Sequence, residues 1–592
     1  MNYIKQSIWA LAAIALVACS SDDDKDTTGS LTPEVNTTAT FTASIESGNS
    51  ASSKATRTSL TTDVDYPDIP YPVWSAGDQI RVYNATTPAN ARFSLKSGYA
   101  GQRYGVFEGT MTRKADDKLF ALYCANLTES GAPTLNVSNG SATIEATIPS
   151  ALVNYTAGFH PEYHFMTACT TGNAFKFKNA MSLIKVNLAD NNYNNFIIRK
   201  IHFKANNSEN IAGAFTASIG DDGTIGTLTI TSGGSSEITI SNSNGSALAT
   251  GVYYIPVLPN TLANGFTLTF ENTEDGAVYE RSRTTSYTIG KSQIIDLGSY
   301  TAKVCAKEAY VDLGLTNSSG QKVMWCVENV YDEGGESNNE TISSTKETSP
   351  NSSYYAWGET YVKANQKKYN DNFRTYSWYF DYSIGQGSGS SEAIIYRSYK
   401  HGLGSANYNA FSASESYEFL HQGWVLNYQG VLIKYNSSSD YTRSFADWRG
   451  GTIDDLTVLD TDDDAAYQKS PRHIVRMPSN DDCSKLFSAV TKGTLTATNE
   501  TSYVKFENKT THNYIKFPIG GFIHKKSSSD NNSPKNTTLA AYWTRDRGTG
   551  TTSVNDVSYD DSYKAWSFLP VTRNSGKIDR CQGRMIRGVI YK

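Results

Sequence analysis

The sequence predicts a mainly β protein, with two β-sandwiches in tandem followed by an α+β domain. Three observations lead there. First, apolar and polar residues alternate with period two in many short stretches: Ile80 and Val82 between Gln79, Arg81 and Tyr83; Ile144, Ala146 and Ile148; Ile184, Val186 and Leu188; Phe266, Leu268 and Phe270. That period marks half-buried strands. Second, polar turn clusters such as Gly220-Asp221-Asp222-Gly223 and Ser232-Gly233-Gly234-Ser235 separate them. The pattern runs over about 240 residues, against roughly 100 for a single sandwich, so two are expected. Third, the composition shifts near Glu308: seven of the nine Trp lie beyond it, and helix signals first appear there.

Taken in order, the chain begins with Lys5 and an apolar run from Ile8 to Ala18. A membrane span needs ~20 apolar residues, so residues 1–18 read as a signal peptide. Residues 19–58 form a Ser/Thr/Asp/Asn-rich tether and prosegment. Within it Phe41, Ala43 and Ile45 share one face of a strand, and Lys54-Ala55-Thr56-Arg57-Thr58 follows as an exposed basic loop. Residues 59–300 carry the paired sandwiches. Trp74 is expected as a core anchor, with Gly77-Asp78 turning into the Ile80 strand. Thr301–Glu308 is a short junction, and the third domain spans 309–592. Asp460-x-x-Asp463 predicts a capped helix that Pro471 must stop. Ser479-x-x-Asp482 predicts a second, with Cys483, Leu486, Phe487 and Val490 on one face and Gly493 past its end.

Composition excludes several function classes. A net charge of -5 offers no basic field, so no nucleic acid is expected as a partner. No C-x-x-C pair occurs among the seven cysteines, which leaves zinc and dithiol redox chemistry unsupported and disulfide connectivity open. His160-Pro161-Glu162-Tyr163-His164 lacks the H-E-x-x-H order, and Pro161 opposes a helix, so a loop is expected. In Asp460-Thr461-Asp462-Asp463-Asp464, Ala465 stands where a calcium loop requires glycine, and helix capping is the preferred reading. A calcium site built with distant loops stays open. Gly385-Gln386-Gly387-Ser388-Gly389 has neither phosphate-loop spacing nor a following Lys-Ser/Thr, and no G-x-S-x-G elbow exists. No catalytic residues, metal or cofactor are expected, and the chain is not read as an enzyme.

Three resemblances add to this. Leu16-Val17-Ala18-Cys19 resembles a bacterial lipobox, and Ser21-Asp22-Asp23-Asp24 is similar to the export tag of surface lipoproteins of the Bacteroidota. That implies lipidation at Cys19, anchoring in the outer membrane and exposure at the cell surface, because several acyl chains give stable anchoring. Thr56-Arg57-Thr58, Trp74-x-x-Gly77-Asp78, Phe107-Glu108-Gly109, Tyr254-Ile255-Pro256-Val257-Leu258-Pro259 and Gln293-Ile294-Ile295-Asp296-Leu297-Gly298 together resemble fimbrillin-like (Mfa-like) domains. This implies proteolytic maturation between Arg57 and Thr58, loss of the strand around Phe41–Ile45, and donor-strand exchange with other fimbrillin subunits, a form of β-augmentation. Tyr310-Val311-Asp312-Leu313-Gly314-Leu315, Trp325, Tyr355-Ala356-Trp357-Gly358-Glu359, Arg476-Met477-Pro478-Ser479, Phe517-Pro518-x-Gly520-Gly521 and Gly583-x-x-Ile586-Arg587-Gly588-Val589 look like the Fibrobacter succinogenes major paralogous domain. That implies a C-type lectin-like fold for residues 309–592, related to formylglycine-generating enzymes. Trp543-Thr544-Arg545 departs from the usual Trp-Ser-Ser, and Arg587-Gly588 from Arg-Pro.

An insert of roughly residues 362–451 interrupts that last pattern. Its Tyr369, Tyr376, Trp378 and Tyr379, interleaved with Lys, Asn, Asp and Arg, suit a glycan or protein ligand bound by stacking plus hydrogen bonding. Packing of the insert onto its domain is the competing explanation for any single ring. The combined expectation is a fimbrial tip subunit acting in adhesion; the alternative is a lipid-anchored glycan-binding protein that never polymerises. Only Val589–Lys592 lies past Gly588, too little for a donated strand of ~5–6 residues, which is why a fibre end is expected.

Overall fold

The computed structural model describes residues 36–45, 59–62, 70–86, 89–124, 132–154, 160–191, 193, 196–330, 354–355, 357–358, short strands between 367 and 398, 457–461, 464–522, 537–549, 551–554, 557–560, 564–579 and 583–592. Over these residues the protein is mainly β.

The first of the β units closes on itself. Seven strands form a barrel in the order Asn36–Ile45, Ala174–Asn179, Met166–Thr170, Leu119–Tyr123, Gln79–Asn84, Ala89–Leu95 and Tyr104–Thr112. Closure depends on the strand farthest from the rest in sequence. Asn36–Ile45 runs antiparallel to Tyr104–Thr112 from Asn36↔Thr112 to Ser44↔Tyr104, and parallel to Ala174–Asn179 from Thr42↔Ala174 to Ile45↔Phe177. Its alternation places Phe41, Ala43 and Ile45 in the barrel core. Trp74 is fully buried and meets Phe107, Tyr123 and Phe177 edge-on at centroid distances of 4.9, 5.4 and 5.8 Å. Asp78 stabilises the turn after it, accepting from the Ser75 amide at 2.7 Å and from the Tyr123 hydroxyl at 3.0 Å.

The middle of the chain builds three further sheets around a second core. One is four-stranded, ordered Ile225–Ser235, Ala212–Ile219, Ser141–Ile148 and Thr134–Ser138; another is three-stranded, ordered Gly251–Val257, Ser182–Asp190 and Ile294–Thr301. The largest has eight strands: Ala151–Val153, Glu237–Ser241, Lys200–Ala205, Phe266–Asn272, Ala277–Arg283, Tyr310–Thr316, Lys322–Asn329 and Arg587–Tyr591. This sheet does not stop at the composition change. Ala277 pairs with Val311 and Val278 with Tyr310, so middle and C-terminal strands share one hydrogen-bonded surface.

The junction is itself structured. Thr301 caps a helix, α1 (Ala302–Ala306), by accepting from the Val304 amide. Glu308 just beyond is buried and accepts from the Ser470 hydroxyl at 2.7 Å, the Arg472 amide at 2.6 Å and the Arg472 guanidinium. That guanidinium also donates to the Glu280 carbonyl at 2.7 Å and lies over the Tyr279 ring. A buried carboxylate is tolerated only when paired and hydrogen-bonded, and here the pairing ties the junction to both neighbours.

Two C-terminal helices test the capping predictions. The first, α2 (Ala465–Lys469), ends before Pro471 as expected, but its N-cap is Asp464 rather than Asp460. Asp464 is fully buried and accepts from the amides of Ala466 and Tyr467 at 3.0 and 3.2 Å, from Met477 at 3.1 Å, and from Arg476 Nε at 2.7 Å. Only a site with that many donors can hold a buried carboxylate, and half of those donors come from outside the helix. The second, α3 (Asn480–Thr491), has the predicted box: Ser479 accepts from the Asp482 amide, Asp482 accepts from the Ser479 amide, and Gly493 follows with φ of 79°.

The closing motif is a cross-tie. The Arg587 guanidinium, 1% exposed, donates to the carbonyls of Cys326 at 3.0 Å, of Lys516 at 2.8 Å, and of Val327. Glycine is needed next to it, since a Cβ on Gly588 would lie 2.2 Å from Val475 Cγ1.

Candidate binding sites

Several sequence-predicted residues fall outside the described part: Cys19, Arg57, Thr58, Trp378 and Tyr379. Tyr369 and Tyr376 fall in the paired strands Lys367–Tyr369 and Arg374–Tyr376, whose side chains are likewise outside it. The Gly385–Gly389 segment also lies outside.

Where the chemistry can be followed, it is quiet. Among the described residues no group of three or more His, Cys, Asp or Glu is placed to hold a metal. Pro161–Tyr163 is a single 3-10 turn, and His160 packs on Tyr163 with ring centroids 4.6 Å apart. Cys169, Cys305, Cys326 and Cys483 are free thiols, and the Cys124 thiol donates to the Glu162 carbonyl at 3.2 Å. Burial pushes the Cys305 and Cys326 thiols up to about 12 and raises Cys169 and Cys483, so none of these four forms a reactive thiolate at neutral pH.

Two features of the fold can bind. The first is the seat of the Asn36–Ile45 strand, a slot between two barrel strands floored by Phe93 and Phe175. Phe41 meets these rings at 4.8 and 5.1 Å. A strand entering such a slot gains ladder hydrogen bonds on both sides and buries alternate side chains.

The second is a cavity of about 190 Å³ between the middle and C-terminal regions. The turn after Phe266–Asn272 forms one wall with Asn272, Glu274 and Asp275; Val327 and the strand Tyr514–Pro518 form the other, with Tyr514 and Lys516 facing the turn. Ile197 and Ile515 also line it. Close packing holds the walls together. The Tyr514 amide donates to the Asp275 carbonyl at 3.0 Å. A Cβ on Gly276, whose φ is 73°, would lie 2.1 Å from Asn513 Oδ1. No local sequence signal marks Glu274-Asp275-Gly276, because Lys516 lies far away in the chain.

Asp275 is 6% exposed and accepts from the Ala277 amide at 2.9 Å through Oδ1. Burial pushes its carboxyl up to about 6 from an ordinary value of 3.8, with Glu274 adding to the rise and Lys516 opposing it. The folded state therefore holds this proton more tightly than the unfolded chain. Its contribution is fully present below pH 4 and is lost as pH rises through 6, a total of about 3 kcal/mol. Asp275→Asn should remove that slope. The stability difference between variant and parent, measured by urea unfolding from pH 4 to 7, should grow with pH in the variant's favour. A difference flat with pH would refute the assignment.

No family model matches the chain, and no curated protein matches it. Among solved structures it is similar to a protein from Bacteroides ovatus named as a candidate cell adhesion protein, at 15% identity and a TM-score of 0.29, covering 45% of this chain and 92% of that one. A similarly named protein from Bacteroides uniformis gives 16% identity and a TM-score of 0.26 over 39% and 88% of the two chains. The tip fimbrial protein Mfa3 of Porphyromonas gingivalis, truncated at its C terminus, gives 11% and 0.20 over 35% and 76%. Likenesses this slight assign no function. Among the described residues no helix is long and apolar enough to cross a membrane.

Proposed function

We propose that this chain is a lipid-anchored surface protein that matures by proteolysis after Arg57 and then serves as an adhesive subunit at a fimbrial end. The observation that carries this reading is the seat of the first strand. Asn36–Ile45 is the strand cut off from its barrel by the basic loop, and it pairs along both edges while filling the core with Phe41, Ala43 and Ile45. Its loss would open two strand edges and an apolar slot together, a ready acceptor for a strand donated by another subunit. Cys19 supplies the lipid in this reading, and the outer membrane is the first location.

The end-of-fibre placement rests on the other side of the exchange. Arg587–Tyr591 is already paired with Lys322–Asn329 and bridged to Arg476, so those residues are not free to be donated. One open interface and one closed one terminate an assembly rather than repeat it. The insert's Tyr369, Tyr376, Trp378 and Tyr379 are the proposed ligand-facing residues of a lectin-like C-terminal region. No catalytic role is proposed.

Assembled fibres should contain a form whose N terminus is Thr58. N-terminal sequencing of fibre-associated protein makes the test, and finding only lipidated Cys19 would favour the anchored, non-polymerising alternative. Immunogold labelling should mark one end of each fibre; label along the shaft would exclude the tip placement.

A further inference from the structure

We propose that the cavity between the Asn272–Asp275 turn and the Tyr514–Pro518 strand is a binding site for one neutral pyranose ring, such as the terminal sugar of a surface glycan. It rests on the proposed adhesive role only for the purpose of binding; the site itself is argued from its lining.

Size comes first. A volume of about 190 Å³ is below the roughly 300–1,000 Å³ typical of drug-sized ligands and leaves room for a single ring. Position agrees, since small-ligand sites gather where separate units of a chain meet. One wall here belongs to the middle region and the other to the C-terminal region, so the site exists only when both are assembled.

The lining selects the chemistry. Asp275 is more than nine-tenths buried; its Oδ1 accepts from the Ala277 amide at 2.9 Å, and its carboxyl is also stabilised by its own backbone amide, which leaves lone pairs free for a further donor. Lys516 makes no ion pair among the described residues; its ammonium lies 4.9 and 5.4 Å from the Tyr503 and Tyr514 ring centroids. The Tyr514 hydroxyl likewise has no described hydrogen-bond partner, although its ring is held by Lys505 at 4.5 Å. An acceptor and two donors thus converge on one space without satisfying one another. Tyr514 and Lys516 are half-buried, so water reaches this space, and the hydroxyls of a ligand can take its place on the same groups.

Other ligand classes fit less well. An anion would face both Glu274 and Asp275. A cation would face Lys516, and Glu274 already accepts from Arg199 at 3.1 Å. A purely apolar ligand would strand the carboxylate and the ammonium. Hydroxyl groups both donate and accept, so a sugar ring can give hydrogen bonds to Asp275 and take them from Lys516 and Tyr514. Its C–H face would rest against Ile197 and Val327.

The test is saturation-transfer NMR on the full chain, with methyl glycosides of neutral hexoses and N-acetylhexosamines as probes at millimolar concentration. At least one probe should receive saturation and titrate to a dissociation constant. Asp275→Asn and Lys516→Met should each weaken it about tenfold, as expected when a charged hydrogen-bonding partner is lost. Lys516→Met guards against misfolding, because the Lys516 side chain carries no hydrogen bond among the described residues, and amide spectra confirm the fold of each variant. No saturation of any probe overturns the proposal. So does binding that survives both substitutions but disappears in Tyr376→Ala/Trp378→Ala, a result that would leave the adhesive reading standing with its ligand on the insert. Binding in the cavity by a protein absent from fibres would uphold the site and overturn only the fimbrial reading.

Discussion

Phe41→Ala is expected to destabilise the N-terminal barrel by about 3–5 kcal/mol, the usual range for truncating a buried phenylalanine. The ring is fully buried, packs edge-on against Phe93 and tilted against Phe175, and sits on the one strand that closes the barrel. The vacated space cannot be refilled from neighbours, because Ala43 and Ile45 on the same face are already buried. Hydrogen exchange gives the measurement. Protection of Tyr104–Thr112 and Ala174–Asn179, the two strands that flank the seat, should fall together, while Ser182–Asp190 in the next unit should hold. Equal loss in all three would mean that the barrel does not open as its own unit. No loss would mean that the first strand is dispensable to it, and the proposed maturation would lose its structural basis.

Asp464→Ala should be comparably severe in the C-terminal region, at about 3–5 kcal/mol, the range for breaking one side of a buried ion pair. The carboxylate caps α2, receives the Met477 amide and pairs with Arg476. Its removal leaves the Arg476 guanidinium half-buried and facing an apolar methyl, held among the described residues by the Leu459 carbonyl at 2.9 Å and the Tyr467 ring. Arg476 exchanges backbone hydrogen bonds with Val589 at 2.9 and 2.8 Å, so damage should reach the closing strand. The double variant Asp464→Ala/Arg476→Met should recover part of the loss, since it removes the stranded charge as well. Denaturant unfolding of the four proteins in the cycle decides it. Strict additivity would show that the pair is not coupled.

How much of this was legible beforehand divides by the range of the interactions. The Ser479–Asp482 box and Gly493 were readable because a cap is completed within one helical turn, by residues adjacent in the chain. Strand faces were readable for the same reason: alternation places Phe41, Ala43 and Ile45, or Ile144, Ala146 and Ile148, on one side whatever they pack against. Burial of Trp74 followed from bulk and apolarity alone. Asp464 was missed because Asp460, Asp462 and Asp463 in the same acidic run offer equivalent caps. The choice among them is made by Arg476 and by the Met477 amide, neither of which belongs to the helix.

The sequence by itself therefore determined the strand pattern, the second helix with its cap, and the aromatic anchors, all of which depend on neighbours in the chain. Only the tertiary structure decided that the first strand closes a barrel, that one sheet runs from the middle region into the C-terminal one, and that Glu308 pairs with Arg472. It also decided that Asp275 meets Tyr514 and Lys516 across a cavity. Each of these joins residues that are not neighbours in the chain, from Ala277 and Val311 to Asp275 and Tyr514. Pairing at that distance is selected by which apolar faces can be buried together at once, a property of the whole packed chain that no local pattern carries.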